Sequence, residues 1–251
     1  MLQNLIVKPT HPIAHFSLNM PGVDDIFPGL APGDFAVLYG SQSVVSLTSL
    51  LCVRAQLPMQ LGGLASNVVF IDGGNTFRLY NIARFAQLHY LNPKEALERI
   101  FISRAFTAYQ LTSLIMEKLE EAIKVYNAKL VVISDVAGFF LDSDVPAEEA
   151  QKIYGQIVGY LSDFAKKYQI IIVATYLPYE SGKRNTRLQE ITFSKANTVL
   201  CFAKTKYARE VALEKHPRYM LGVAELPSEK LTLTDFMGSN TVQMGLNVIS
   251  S

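Results

Sequence analysis

Five strongly apolar runs, separated by segments of helical spacing, leave this chain few folds to choose from. They are Asp34–Tyr39, Asn67–Asp72, Ile100–Ser103, Leu130–Asp135 and Ile170–Thr175. None shows the polar alternation of a sheet that is wet on one side, so each strand is expected to be covered on both faces. Between them, helices are predicted over about Ser46–Leu57, Thr76–Tyr90, Pro93–Arg99, Ala108–Tyr126 and Pro146–Tyr168. In the fourth, Leu111, Leu114, Ile115, Leu119 and Ile123 mark one apolar face. Strand–helix alternation of this kind specifies an α/β fold with a mostly parallel sheet and helices on both faces. From Thr198 the pattern changes to three short strands in succession, Thr198–Ala203, Glu210–Lys215 and Tyr219–Leu226, which predict an antiparallel extension at one sheet edge. The 251 residues, 49% of them apolar, suffice for one core over residues 1–226, with 1–30 as a lead-in. Residues 227–251 are polar and weakly patterned and read as a C-terminal tail.

A net charge of +1 gives no global signal for nucleic acid or for a membrane surface. No apolar run approaches the ~18 residues of a membrane span, and Met1–Thr10 lacks the charged start and apolar stretch of a secretory leader. Cys52 and Cys201 lie in apolar runs and read as buried free thiols of a reducing compartment. The expectation is a soluble, cytoplasmic protein with no membrane partner. His11, His15, His89 and His216 are scattered without metal-ligand spacing, so no metal is expected.

The strand ending at Gly40, followed by an apolar helix, is the context of a phosphate-binding loop. Laid over G-x-x-x-x-G-K-[ST], the chain reads Gly40, Ser41, Gln42, Ser43, Val44, Val45, Ser46, Leu47. Only the first glycine is present. Val45 replaces the glycine that allows close backbone approach, Ser46 the phosphate-binding lysine, and Leu47 the hydroxyl that ligates Mg²⁺. Backbone amides at a helix start, with Ser41, Gln42, Ser43 and Ser46 as donors, leave weak nucleotide or phosphate binding open. No lysine lies in the loop or its helix, Arg54 being the nearest cation for a working site with a displaced charge.

Four further segments carry a family resemblance. Phe16–Leu30, Ile71-Asp72-Gly73-Gly74-Asn75-Thr76-Phe77-Arg78, Ile102-Ser103-Arg104-Ala105-Phe106 and Leu130–Asp135 resemble, in order, four stretches of RadA/RecA-type recombinases. These are the lead-in to the phosphate loop, I-D-T-E-G-T-F-R, V-A-R-A-F and the Walker B strand. The resemblance spans about Phe16–Leu226 and implies a RecA-like P-loop NTPase core, of the archaeal RadA type, without the helical DNA-binding domain that precedes the core in full-length RadA. It also implies that Gly74 stands where the family's water-polarising glutamate belongs. Asp135 occupies the Walker B position, read either as a metal-contacting carboxylate or as a polar strand end capped by nearby backbone. Thr175-Tyr176 stands where the family has its nucleotide-sensing Asn-Gln pair. With these groups absent, the resemblance implies a degenerate ATPase site with no bound cofactor.

In such recombinases the loops after the Walker B strand and after the next strand contact single-stranded DNA. The first, Val136–Pro146, is acidic and aromatic, a poor match to phosphates; Phe139 and Phe140 are expected to pack beneath the following helix, with Asp144 as its N-cap. The second, Pro178–Arg187, is basic and reads as a flexible loop in which Lys183, Arg184 and Arg187 track a strand while Tyr176 and Tyr179 stack on bases. Lys195, Lys204, Lys206 and Arg209 would extend a basic stripe. The leading expectation is a non-catalytic accessory factor of homologous recombination and repair, binding single-stranded DNA, the recombinase RadA, or copies of itself. The alternative is a structural subunit of a RecA-like ring or a KaiC-like regulatory complex.

Overall fold

The computed structural model describes residues 15–204 and 208–226. Residues 1–14 of the expected lead-in, Lys206 and the expected tail 227–251 lie outside the described residues. The chain enters through α1 (Val23–Ile26), then β1 (Phe35–Tyr39), α2 (Ser43–Arg54), β2 (Asn67–Asp72), α3 (Leu79–Leu88), α4 (Pro93–Glu98) and β3 (Ile100–Arg104). Next come α5 (Ala108–Ser113), one wide π-turn at Leu114–Lys118, α6 (Leu119–Val125), β4 (Ala128–Ser134), α7 (Gly138–Leu141), α8 (Ala147–Tyr168) and β5 (Ile171–Tyr176). Helix α9 (Lys183–Lys195) precedes β6 (Thr198–Lys204), β7 (Arg209–Lys215) and β8 (Gly222–Leu226).

The described strands form one sheet in the order β3-β2-β4-β5-β1-β6-β7-β8. The first six run parallel, and β7 and β8 add on antiparallel as the sequence predicts. Successive strand residues alternate between two cores. Ala36, Leu38, Val68, Phe70, Leu130, Val132, Ile171 and Val173 face α2, α3 and α4. Phe35, Val37, Val69, Ile71, Val131, Ile133, Ile172 and Ala174 face α5, α6, α8 and α9. That two-faced burial explains the unbroken apolar runs, since each Val, Leu, Ile or Phe among them contributes about 1.5–3 kcal/mol by leaving water.

Helix ends follow local chemistry. Asn92 accepts the Lys94 N–H and Pro93 opens α4. In α8, Glu148 and Glu149 sit in the first turn and Lys166 and Lys167 in the last, matching the helix dipole, and left-handed Gln169 ends it. Asp144 is not the N-cap of this helix: Pro146 occupies that position, and the Asp144 N–H instead donates to Asp142 within its own turn. Phe140 packs beneath α8 as expected, fully buried and edge-on to Tyr154. Cys52 is buried, but Cys201 is only half-buried on β6. No described helix is long and apolar enough to cross a membrane.

Candidate functional site

Helix α2 begins at Ser43, three residues before the start expected from the sequence, and this closes the loop after β1. Gly40 has φ +99°, and a Cβ there would lie 2.7 Å from the Phe202 carbonyl on β6, so the loop hugs the neighbouring strand. The Ser43 N–H donates to Ser41 Oγ (3.2 Å), the Val44 N–H to the Ser41 carbonyl (3.3 Å) and the Val45 N–H to the Gln42 carbonyl (3.2 Å). These are the amides a phosphate cradle would turn outward. Here they are spent within the loop. Leu47 is buried in the core beside Leu50 and Leu51, Val45 is half-buried, and Gln42, Ser43 and Ser46 are exposed. The hollow beside the loop measures about 180 Å³ and is lined in part by Ser41, Ser43, Phe202, Lys204 and Arg209. Ligand pockets usually span about 300–1,000 Å³. Arg54 closes the far end of the 12-residue α2, about 18 Å along, buried and donating to the Ser17 carbonyl. It is no substitute for the lysine.

Asp135 follows β4 with φ +51° and is 5% exposed. Its N–H donates to Thr175 Oγ1 (2.8 Å), and its Oδ2 accepts a hydrogen bond from the Tyr179 hydroxyl. Oδ1 is buried with no partner among the described residues. Burial pushes the Asp135 carboxyl above its usual range; the bonds from Tyr179 and the Gly138 N–H pull it back, and the Asp72 charge raises it again. Two glycines make room for this arrangement. A Cβ on Gly74 would lie 2.6 Å from Asp135 Cβ, and one on Gly138 would lie 2.3 Å from Asp135 Oδ2 and 2.7 Å from the Tyr179 oxygen. The position expected to have lost a glutamate is thus one that this packing reserves for glycine.

Asp72, which sequence reasoning placed in a motif without giving it a task, joins three strand ends. Its fully buried carboxylate accepts from the Thr76 N–H (2.8 Å), Ser134 Oγ (2.8 Å) and Arg104 (Nη2, 3.0 Å). The one earlier signal was its place at a strand end, with Arg104 at the end of the next.

The segment 183–187 is not a flexible loop but the first turns of α9. Tyr176 is not available to stack on bases: it is 2% exposed, and its hydroxyl donates to Asn185 Oδ1 (2.6 Å). Asn185 Nδ2 in turn holds the Glu180 carbonyl (3.0 Å). Arg184 Nε donates to the Phe140 carbonyl (2.6 Å) and its Nη2 to the Val145 carbonyl (2.9 Å), tying α9 to the loop after β4. Arg187 pairs with Glu190 (3.1 Å) and Lys183 is exposed. Of the five residues expected to meet DNA, two cations remain at the surface, while Tyr179 is engaged with Asp135. The neighbouring segment exposes Asp142, Asp144, Glu148 and Glu149.

The described residues hold no group of three or more His, Cys, Asp or Glu that could bind a metal. The structure does bring two scattered histidines together, His15 and His216, each against the Tyr219 ring.

The Rad51 family model matches residues 29–187, from just before β1 into α9. A DNA repair and recombination protein RadA of Cenarchaeum symbiosum (strain A) is 30% identical over 129 residues, covering 50% of this chain and 32% of that protein. The chain therefore spans about a third of the length of this curated relative.

Proposed function

This chain belongs to the Rad51 family, and on that premise we propose that it is a RecA-like paralogue that no longer hydrolyses ATP. In this reading it serves recombination and repair as an accessory factor that docks on the active recombinase or on copies of itself. The observation that carries the loss of hydrolysis is the Tyr179 hydroxyl on Asp135. The phenol occupies one of the two carboxylate oxygens, Oδ2, and the loop after β1 turns its first amides inward. Such a site offers no lysine, no metal hydroxyl and no carboxylate at position 74 to stabilise charge on a transferring phosphoryl group.

A protein partner fits the surface better than a nucleic acid. Arg184 and Tyr176 are committed inside, and the carboxylates at 142–149 lie next to the remaining cations. At one edge of the sheet, β3 pairs with β2 alone among the described strands. On or just beyond that edge Ile102 and Phe106 are 45% and 70% exposed, and Tyr109, 55% exposed, donates its hydroxyl to Glu149 (2.8 Å). An unpaired edge with apolar anchors invites an extended segment of another chain to add as a strand.

Sedimentation of the chain alone and with a purified RadA-type recombinase tests the proposal, alongside ATP turnover. Association that Phe106→Ala weakens, with no turnover by the chain itself, is the expected outcome. Turnover that Asp135→Ala abolishes would refute the loss of hydrolysis. Failure to associate with either partner would refute the docking role.

A further inference from the structure

A cluster of rings fastens the lead-in to the far corner of the sheet. His15 Nε2 lies 3.1 Å from the Tyr219 hydroxyl, and Phe27 meets both Tyr219 and His216 edge-on at 6.2 and 5.6 Å. His216 stacks on Tyr219 at 4.3 Å with 22° between the planes. Helix α1 packs beside β8, and Phe16 and Leu30 close the lead-in into a loop through paired backbone bonds of 2.7 and 3.0 Å. The corner holding Tyr219 in place, residues 216–219, has a specific device. His216 Nδ1 accepts both the Arg218 N–H and the Tyr219 N–H, each at 3.0 Å.

An imidazole nitrogen accepts only while it carries no proton. Protonating Nδ1 would turn two hydrogen bonds into two donor–donor repulsions and undo the corner. We propose that His216 is a pH-sensitive latch: neutral, it holds Tyr219 against the lead-in, and protonated, it releases the lead-in from the β7–β8 corner.

The surroundings set the direction. Burial holds the ring below its ordinary 6.5, Asp34 before β1 favours the proton, and Arg218 in the corner and His15 on the lead-in oppose it. Phe27 and Tyr219 supply only rings to its faces. The released state therefore takes up more protons than the latched one. The latch is at full strength above 6.5 and weakens as pH falls below it, by up to about tenfold per pH unit. His89, lowered to about 4 by burial and Arg54, titrates below this window.

Hydrogen exchange of the full chain, read by mass spectrometry at about pH 7.5 and about pH 5.5 and corrected for intrinsic rates, tests the proposal. The expected result is a roughly tenfold loss of protection at the lower pH, confined to residues 16–30 and 216–226. His216→Asn places a non-titrating oxygen where Nδ1 accepts, as Asn does in its own turns, and should hold protection equal at both pH values. Unchanged protection in the wild type, or an equal loss in His216→Asn, would overturn the proposal. Should that variant not fold, titration of the His216 ring protons in the wild type decides: a midpoint below 6.5 supports the latch, and one at or above it refutes it.

Discussion

Replacing Asp135 by Asn should stabilise this protein at neutral pH, the opposite of what a metal-binding carboxylate would give. The side chain is 5% exposed, its Oδ1 has no partner among the described residues, and Asp72 adds like charge nearby. Among the described residues no salt bridge reaches it, and Arg104 is paired with Asp72 instead. An unsatisfied buried polar atom costs about 1–3 kcal/mol, more when charged. Asn keeps an acceptor for Tyr179 and the Gly138 N–H, removes the charge, and tolerates the left-handed backbone at φ +51°. Its amide still lacks an acceptor, so only part of the cost is recovered, about 1 kcal/mol. For a domain of this size that corresponds to a rise of about 2–4 °C in Tm. The pH dependence has a definite sign. Because the folded carboxyl sits above 3.8, the wild type is relieved of this burden as pH falls through the raised value. The advantage of Asp135→Asn should therefore shrink on acidification and vanish below about 3.8. Thermal and denaturant melts at neutral and acidic pH measure both effects. A lower Tm for Asp135→Asn at neutral pH would refute the reasoning and point to a cation on the carboxylate.

Arg184→Ala should cost about 2–3 kcal/mol, since it strips a charged donor from the Phe140 and Val145 carbonyls, while Lys183→Ala and Arg187→Ala should each stay within about 0.5 kcal/mol in the same melts. Any salt-sensitive shift of a single-stranded oligonucleotide should then depend on Lys183 and Arg187; a shift lost on Arg184→Ala at unchanged Tm would contradict the structural role given to that arginine. Gly74→Glu, which restores the glutamate of related recombinases, should lower stability by about 1–3 kcal/mol and yield no ATP turnover, because its Cβ would lie 2.6 Å from Asp135 Cβ. A well-folded Gly74→Glu variant that turns over ATP would show that the crowding is easily relieved.

The framework was legible in the sequence because burial on both sheet faces writes unbroken apolar runs, and β2, β4 and β5 lie within a residue or two of their predicted limits. Helix α9 was not. Its sequence KRNTRLQEITFSK buries only Leu188 and Thr192, and Gly182 before it offers no capping side chain, so neither periodicity nor a start signal stood out. The early start of α2 was hidden for a related reason: Ser41 closes the turn through its own hydroxyl and carbonyl, a local bond that looks in sequence like loop polarity. At the site, substitutions in the phosphate loop could be read one by one. That Tyr179 reaches Asp135 across 44 residues, and that Gly74 is demanded by packing, are facts of three-dimensional contact with no local trace.

We propose that the loop from Gly40 to Leu47 no longer seats a nucleotide with its metal. Calorimetric titration of Mg²⁺–ATP into the full chain tests this most directly. No binding tighter than about 1 mM, a free energy of about −4 kcal/mol, is the predicted result. Micromolar binding that Asp135→Ala abolishes would contradict the account.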